Sequence, residues 1–211
     1  IFPVTTLRPE TIFGVTNLWV NPNVTYKKVS VDNETWIVSE ECVKKIEFFE
    51  KEVKIIGDIE GSEIIGKYAT VLHNNQEIPI LEAEFVEPGM GTGLVMSVPA
   101  HAPKDYQALM DLKAKNHELA SKIEPIPIIV TPGYDAYPGK QICEKLGVSN
   151  QTDEKLEEAT KELYLKEFTD GKLNEKCEQF NNEKVQYGRD KVRAWLQENN
   201  HLEKFPVLEN A

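Results

Sequence analysis

An α+β fold, with a β-barrel core and peripheral α-helices, is what this sequence predicts, and three observations predict it. The first hundred residues break into short β-branched and aromatic stretches separated by Gly, Pro and Asn turn signals. After Pro99 the texture changes, and apolar residues recur at helical spacing. No internal repeat, low-complexity tract or linker divides the 211 residues, so a single domain over 1–211 is expected. A chain this long buries about 70% of its unfolded surface and needs no cross-links to fold.

Taken in order, residues 2–7, 13–20 and 24–31 read as strands, with Asn21-Pro22-Asn23 and Asp32-Asn33 at the bends. Residues 35–38 continue the pattern. A helix follows: Ser39 suits its N-cap, Glu40 and Glu41 its first turn, and Val43, Ile46 and Phe49 recur at helical spacing. Strand-like pieces return at 53–59, 67–72, 77–81 and 94–98. Pro103 suits a first helical position, with Tyr106, Leu109 and Met110 as the stripe behind it. Residues 125–130 read as a strand. Residues 137–146, 152–165 and 183–197 read as helices, the second with Leu156, Ala159 and Leu163 on one face. Many short strands with such punctuation favour a closed barrel over a layered sheet.

Composition excludes several functions. With 40% hydrophobic and 28% charged residues the chain is neither disordered nor fibrous, and no apolar run is long enough for a membrane span. There are 24 Lys and Arg against 35 Asp and Glu, a net charge of -11. A binder of duplex backbone neutralises many phosphates, so this chain is expected to touch only a short nucleic-acid end. Cys42, Cys143 and Cys177 lie far apart, without a CxxC, which disfavours disulfides and zinc and points to a reducing, cytoplasmic compartment. His73, His101, His117 and His201 show no metal-binding spacing, so no metal is expected. The chain opens in mid-pattern at Ile1, as a cut fragment would.

Two segments can carry chemistry. In Thr5-Thr6-Leu7-Arg8-Pro9-Glu10-Thr11 the hydroxyls can orient a water or grip a ribose, and Arg8 can hold an anion. A strand end running into a capped turn explains the same residues, and spacing alone favours it. In Val98-Pro99-Ala100-His101-Ala102-Pro103-Lys104-Asp105-Tyr106 the aspartate falls in the first turn of a helix. There the helix N-terminus should keep it ionised, able to receive an ammonium but a poor base; on this segment alone, a role in stabilising the helix is the favoured reading. Gly89-Met90-Gly91-Thr92-Gly93 lacks a P-loop lysine and leads into a strand, so it reads as a tight connection.

Together the segments are less ambiguous. Thr6-Leu7-Arg8-Pro9-Glu10-Thr11-Ile12-Phe13-Gly14 and Thr16-Asn17-Leu18-Trp19-Val20-Asn21-Pro22 resemble the threonine-rich peptide of class I aminoacyl-tRNA synthetase editing domains. Gly91-Thr92-Gly93-Leu94-Val95 and 98–106 resemble the second signature of those domains. The details, including Tyr164-Leu165-Lys166-Glu167-Phe168 and Lys184-Val185-Gln186, are similar to the leucyl type of archaea and the eukaryotic cytosol. Leu7 and Ala102 stand where bacterial members carry Thr and Asp.

The resemblance implies an editing insertion excised from a larger synthetase, since nothing like the HIGH or KMSKS signatures of the aminoacylation site is present. It implies hydrolysis of the ester joining a wrong amino acid to the terminal adenosine of tRNA(Leu), by water, without a cofactor or metal. In that family the residue matching Asp105 anchors the substrate ammonium, Thr11 excludes leucine, and Thr6 and Arg8 lie beside the ester. Thr5, Leu7, Met96, Val98 and His101 complete the implied substrate-binding set. The implied partners are the aminoacylated tRNA end and the rest of the synthetase, with the isolated domain a monomer and no membrane involved. A valyl-type editing domain and a catalytically silent tRNA-end or protein-interaction module remain open alternatives.

Overall fold

The computed structural model describes residues 1–48 and 52–202. Among the described residues the strands run in chain order: β1 Asn17–Val20, β2 Thr25–Val31, β3 Glu34–Val38, β4 Val53–Glu60, β5 Tyr68–Val71, β6 Gln76–Glu82, β7 Val95–Ser97, β8 Ile129–Val130 and β9 Lys172–Leu173. The α-helices are α1 Glu40–Phe48, α2 Gly61–Ile64, α3 Pro103–Ala114, α4 Glu118–Ser121, α5 Pro138–Leu146, α6 Lys155–Asp170 and α7 Val185–Glu198. Two 3-10 turns add Pro9–Gly14 and Glu175–Phe180. Most sequence-expected elements form within a few residues of their expected ends. Ser39 caps α1 as expected, its Oγ accepting the Cys42 N–H at 3.2 Å, while Phe49 of the expected stripe lies outside the described residues.

One expectation needs correction. Residues 2–7 form no strand; Pro9 cannot donate to a ladder and instead starts the 3-10 turn that takes up 9–14. The strands fall into separate sheets among the described residues, and no closed ladder is found there to confirm the expected barrel core. β5-β6-β1-β7 form a mixed four-stranded sheet, β3-β2-β4 an antiparallel three-stranded one, and β8-β9 a small pair. Between the larger sheets, isolated bonds such as Ser39 N–H, just past β3, to the Thr92 carbonyl (2.9 Å) and the Tyr26 hydroxyl to the Gly93 carbonyl (2.9 Å), both before β7, make the link rather than a ladder. The architecture is a mixed α/β fold.

The sheets are held by a shared apolar core. Leu18 and Val20 of β1, Ile78 and Ile80 of β6, Tyr26 of β2 and Ile59 of β4 bury together. On the opposite face, Trp19 and Leu81 pack against Ala108, Leu109 and Leu112 of α3. All four residues of β1 are therefore buried, and alternation of polar and apolar positions is lost.

The helical half docks on these sheets at close range. A Cβ on Gly139, at the start of α5, would lie 2.7 Å from the Pro99 carbonyl oxygen, and the Gly139 N–H donates to the Ala100 carbonyl at 2.8 Å. Gly139→Ala must push backbone from backbone and should cost about 1–3 kcal/mol, read as a lowered thermal midpoint. Gly89, with nothing within 4 Å of its built Cβ, is the control whose alanine variant should melt with the wild type.

Candidate active site

The threonine-rich segment is tied around its arginine. Thr6 Oγ1 accepts the Arg8 N–H at 2.9 Å, and Thr11 Oγ1 donates to the Arg8 carbonyl at 2.7 Å. The guanidinium donates from Nε to Glu10 (3.2 Å), from Nη1 to the His101 carbonyl (3.3 Å) and from Nη2 to Glu167 (2.7 Å). Its face lies 4.3 Å from the centre of the Tyr164 ring. Burial disfavours its charge, but Glu167, Tyr164 and Glu10 more than offset this and hold its pKa above the ordinary value. Arg8 is thus a fixed cation with 15% of its side chain exposed.

Asp105 sits in the first turn of α3 behind Pro103, as expected, but not as the open carboxylate its position suggests. Its Oδ1 accepts the Trp19 Nε1–H at 3.1 Å and its Oδ2 the Val98 N–H at 2.7 Å. Burial pushes its pKa up to about 7, against the opposing pull of those two bonds and of the Arg8 charge. The expectation of a firmly ionised Asp105 is overturned: desolvation outweighs the helix terminus.

His101 is fully buried with both ring nitrogens engaged. Nε2 accepts N–H bonds from Ile128 (2.8 Å) and Ile129 (3.2 Å), so the proton must be on Nδ1, which meets Glu167 at 2.6 Å. A substrate-binding nitrogen is therefore not on offer, and His101 acts as an internal strut. The remaining expected residues are dispersed. Leu7 is 81% exposed. Thr5 is exposed too, and packs its hydroxyl into the space left by the missing side chain of Gly91, whose φ of +58° requires glycine there. Val98 lies in the shared core, with Met96 half-buried against it.

Sequence reasoning missed Glu10, Trp19, Tyr164 and Glu167. One signal for Glu167 was present: Leu156, Ala159 and Leu163 define the inward face of α6, and Glu167 extends that face by four residues. The groove of about 980 Å³ on the outward face of α6, lined by Tyr134, Glu162, Leu165 and Lys166 among others, touches none of the expected residues. The buried thiols are poor nucleophiles: desolvation raises Cys42 to about 11 and Cys143 and Cys177 to about 12.

A family profile described as "Leucyl-tRNA synthetase, editing domain" matches residues 1–126. The chain belongs to this family. Among curated relatives of this editing-domain family, a leucine–tRNA ligase of Methanocaldococcus jannaschii is 45% identical over 206 residues, covering 91% of this chain and 21% of its own length. One from Methanothrix thermoacetophila is 49% identical over 181 residues, 83% of this chain and 19% of the relative. The chain thus spans about a fifth of such relatives. The crystal structure of GlLeuRS-CP1 superposes with a TM-score of 0.84 at 27% identity, over 99% of this chain and 84% of that one. The P. falciparum cytosolic leucyl-tRNA synthetase editing domain shares the fold, with a TM-score of 0.85 at 22% identity over 94% of this chain and 76% of that one.

The titration of Asp105 in this editing domain has a definite sign. Its folded pKa of about 7 lies above the ordinary 3.8, so the folded state holds the proton more tightly than the unfolded chain. The resulting stabilisation is complete below pH 4 and is lost as pH rises through 7. Urea unfolding of wild type and Asp105→Asn at pH 5 and pH 8 should show the wild type's advantage shrinking at pH 8, by up to a few kcal/mol. An advantage that grows with pH would mean a depressed pKa.

Proposed function

We propose that this chain is the editing hydrolase of a leucyl-tRNA synthetase, clearing wrong amino acids from the terminal adenosine of tRNA(Leu). The observation that carries the reading is the convergence of the two signature segments. Arg8 from one donates to the His101 carbonyl of the other, and its charge acts on the buried Asp105. A fixed cation beside a carboxylate suits an α-aminoacyl ester, which has an ammonium at one end and, in the transition state, an oxyanion at the other. Family membership supports the same reading. The need for it is energetic, because a synthetic pocket separates side chains differing by a methylene by only about 1–3 kcal/mol.

In this mechanism the substrate ammonium docks on Asp105. The arriving cation lowers the carboxyl's pKa again, so binding itself restores the charge that burial had suppressed. Water adds to the ester carbonyl to give a tetrahedral oxyanion. Its collapse expels the ribose oxygen, which takes up a proton, and leaves the free amino acid. Arg8 and Thr6 orient the reacting groups, so most of the acceleration comes from positioning and from preorganised charge. The buried Thr11 restricts the side-chain space so that leucine is spared. Only the tRNA end need enter, which suits a net charge of -11; the rest of the synthetase holds the tRNA body. No helix of the described residues is long and apolar enough to cross a membrane.

Asp105→Asn, which removes the charge and keeps the shape, should lower deacylation of mischarged tRNA(Leu) by a hundredfold or so if the ammonium anchor is lost. Assays belong well below its melting point, because an amide turns its N–H toward the Trp19 or Val98 donor and costs about 1–3 kcal/mol. Undiminished turnover would remove Asp105 from the site. Thr11→Ala, which deletes a β-branched side chain from this space, should hydrolyse correctly charged leucyl-tRNA that the wild type leaves intact. Equal sparing of leucyl-tRNA by both proteins would show that Thr11 does not exclude leucine.

A further inference from the structure

Glu167 is the least expected group in the molecule: a carboxylate with no exposed surface, on the apolar face of a helix and beyond residues 1–126 that the family profile matches. An unpaired charge there would be prohibitive, so its partners define its purpose. Its Oε2 takes the Arg8 Nη2–H at 2.7 Å, and its Oε1 takes the His101 Nδ1–H at 2.6 Å. Arg8 in turn donates from Nη1 to the His101 carbonyl at 3.3 Å, which closes a ring of three residues. His101 passes the constraint on to the backbone at Ile128 and Ile129.

We propose that Glu167 is the positioning residue of the editing site, aiming Arg8 with one oxygen and holding the turn before Asp105 with the other. The proposal rests on the editing reading above. Without Glu167, Arg8 is gripped by Glu10 at Nε and by the longer 3.3 Å bond from Nη1 to the His101 carbonyl; the 2.7 Å bond from Nη2 to Glu167 fixes the remaining end of the guanidinium. The Tyr164 ring, one turn before Glu167 on α6, covers one guanidinium face, and only 15% of the Arg8 side chain stays exposed to a ligand. Both oxygens of Glu167 must accept. A glutamine has one acceptor for two donors, and an aspartate is a methylene too short to meet both. The last helical turns of α6 are on this view part of the hydrolytic site.

The test compares the 211-residue chain with Glu167→Gln, Arg8→Ala and the double variant, following deacylation of mischarged tRNA(Leu) and thermal melting. Glu167→Gln should lower kcat/KM by roughly tenfold to a hundredfold, the range for a misplaced catalytic contact. In the Arg8→Ala background the same substitution should cost little more, because the group it aims is gone. Full activity of Glu167→Gln, or an equal loss with and without Arg8, would overturn the proposal. If Glu167→Gln does not fold, Glu167→Asp takes its place in the same comparison. The Arg8 Nε–H resonance supplies a readout without substrate: slow exchange with water in the wild type should become fast in the variant. Unchanged exchange would also overturn the proposal. A wild-type chain that exchanges slowly yet deacylates nothing would instead sink the editing reading.

Discussion

The burial of β1 on both faces is the constraint on which the other elements rest. Its even-numbered residues close the core between the two larger sheets, and Trp19 closes the core beneath α3. Trp19 also crosses from packing into chemistry, because its Nε1–H is one of two donors that fix the Asp105 carboxylate. The other donor is the backbone at Val98, just beyond β7, the antiparallel neighbour of β1. The position of Asp105 is thus dictated by the centre of the sheet as well as by the helix that carries it. Moving β1 would displace the core and the carboxylate together.

Electrostatically the domain keeps its important charges indoors. Most of its lysine–carboxylate pairs are exposed, as in Lys122 with Glu118, and such contacts contribute little. Arg8, Glu10, Glu167 and Asp105 are different, since each is at least mostly buried and each owes its state to the others or to burial. Glu167 is held below the usual carboxylate range despite desolvation, by Arg8 and His101, while Asp105 is pushed above it. Two carboxylates within one polar cluster are therefore driven in opposite directions. One stays ionised as scaffold, and the other is left poised near neutrality.

Much of this was legible in the sequence. Turn chemistry and periodicity located most strands and helices, and the two signature segments pointed to Arg8, Thr6 and Asp105. Residues 2–7 misled because β-branched composition does not reveal whether a partner strand exists. A barrel could not be read from the sequence alone, because strand number says nothing about whether the last ladder forms. His101 looked like a ligand for a substrate, and only the backbone of Ile128 and Ile129 shows that its lone pair is spent. Glu167 was visible as a polar residue on an apolar helix face, yet its partner lies at the other end of the chain, where no local pattern reaches.

That distance has a consequence for how the protein is made. Arg8 and Glu167 are separated by 159 positions, and a ribosome adds about 5–20 residues per second. Roughly ten to thirty seconds therefore pass between the synthesis of the cation and that of the carboxylate that aims it. In that interval β1 to β7 and α3 can already be present, with Arg8 held only by Glu10 and the His101 carbonyl. The nascent chain acquires its two larger sheets before its buried ion cluster is complete, so the cluster is assembled only when the last long-range contact is made.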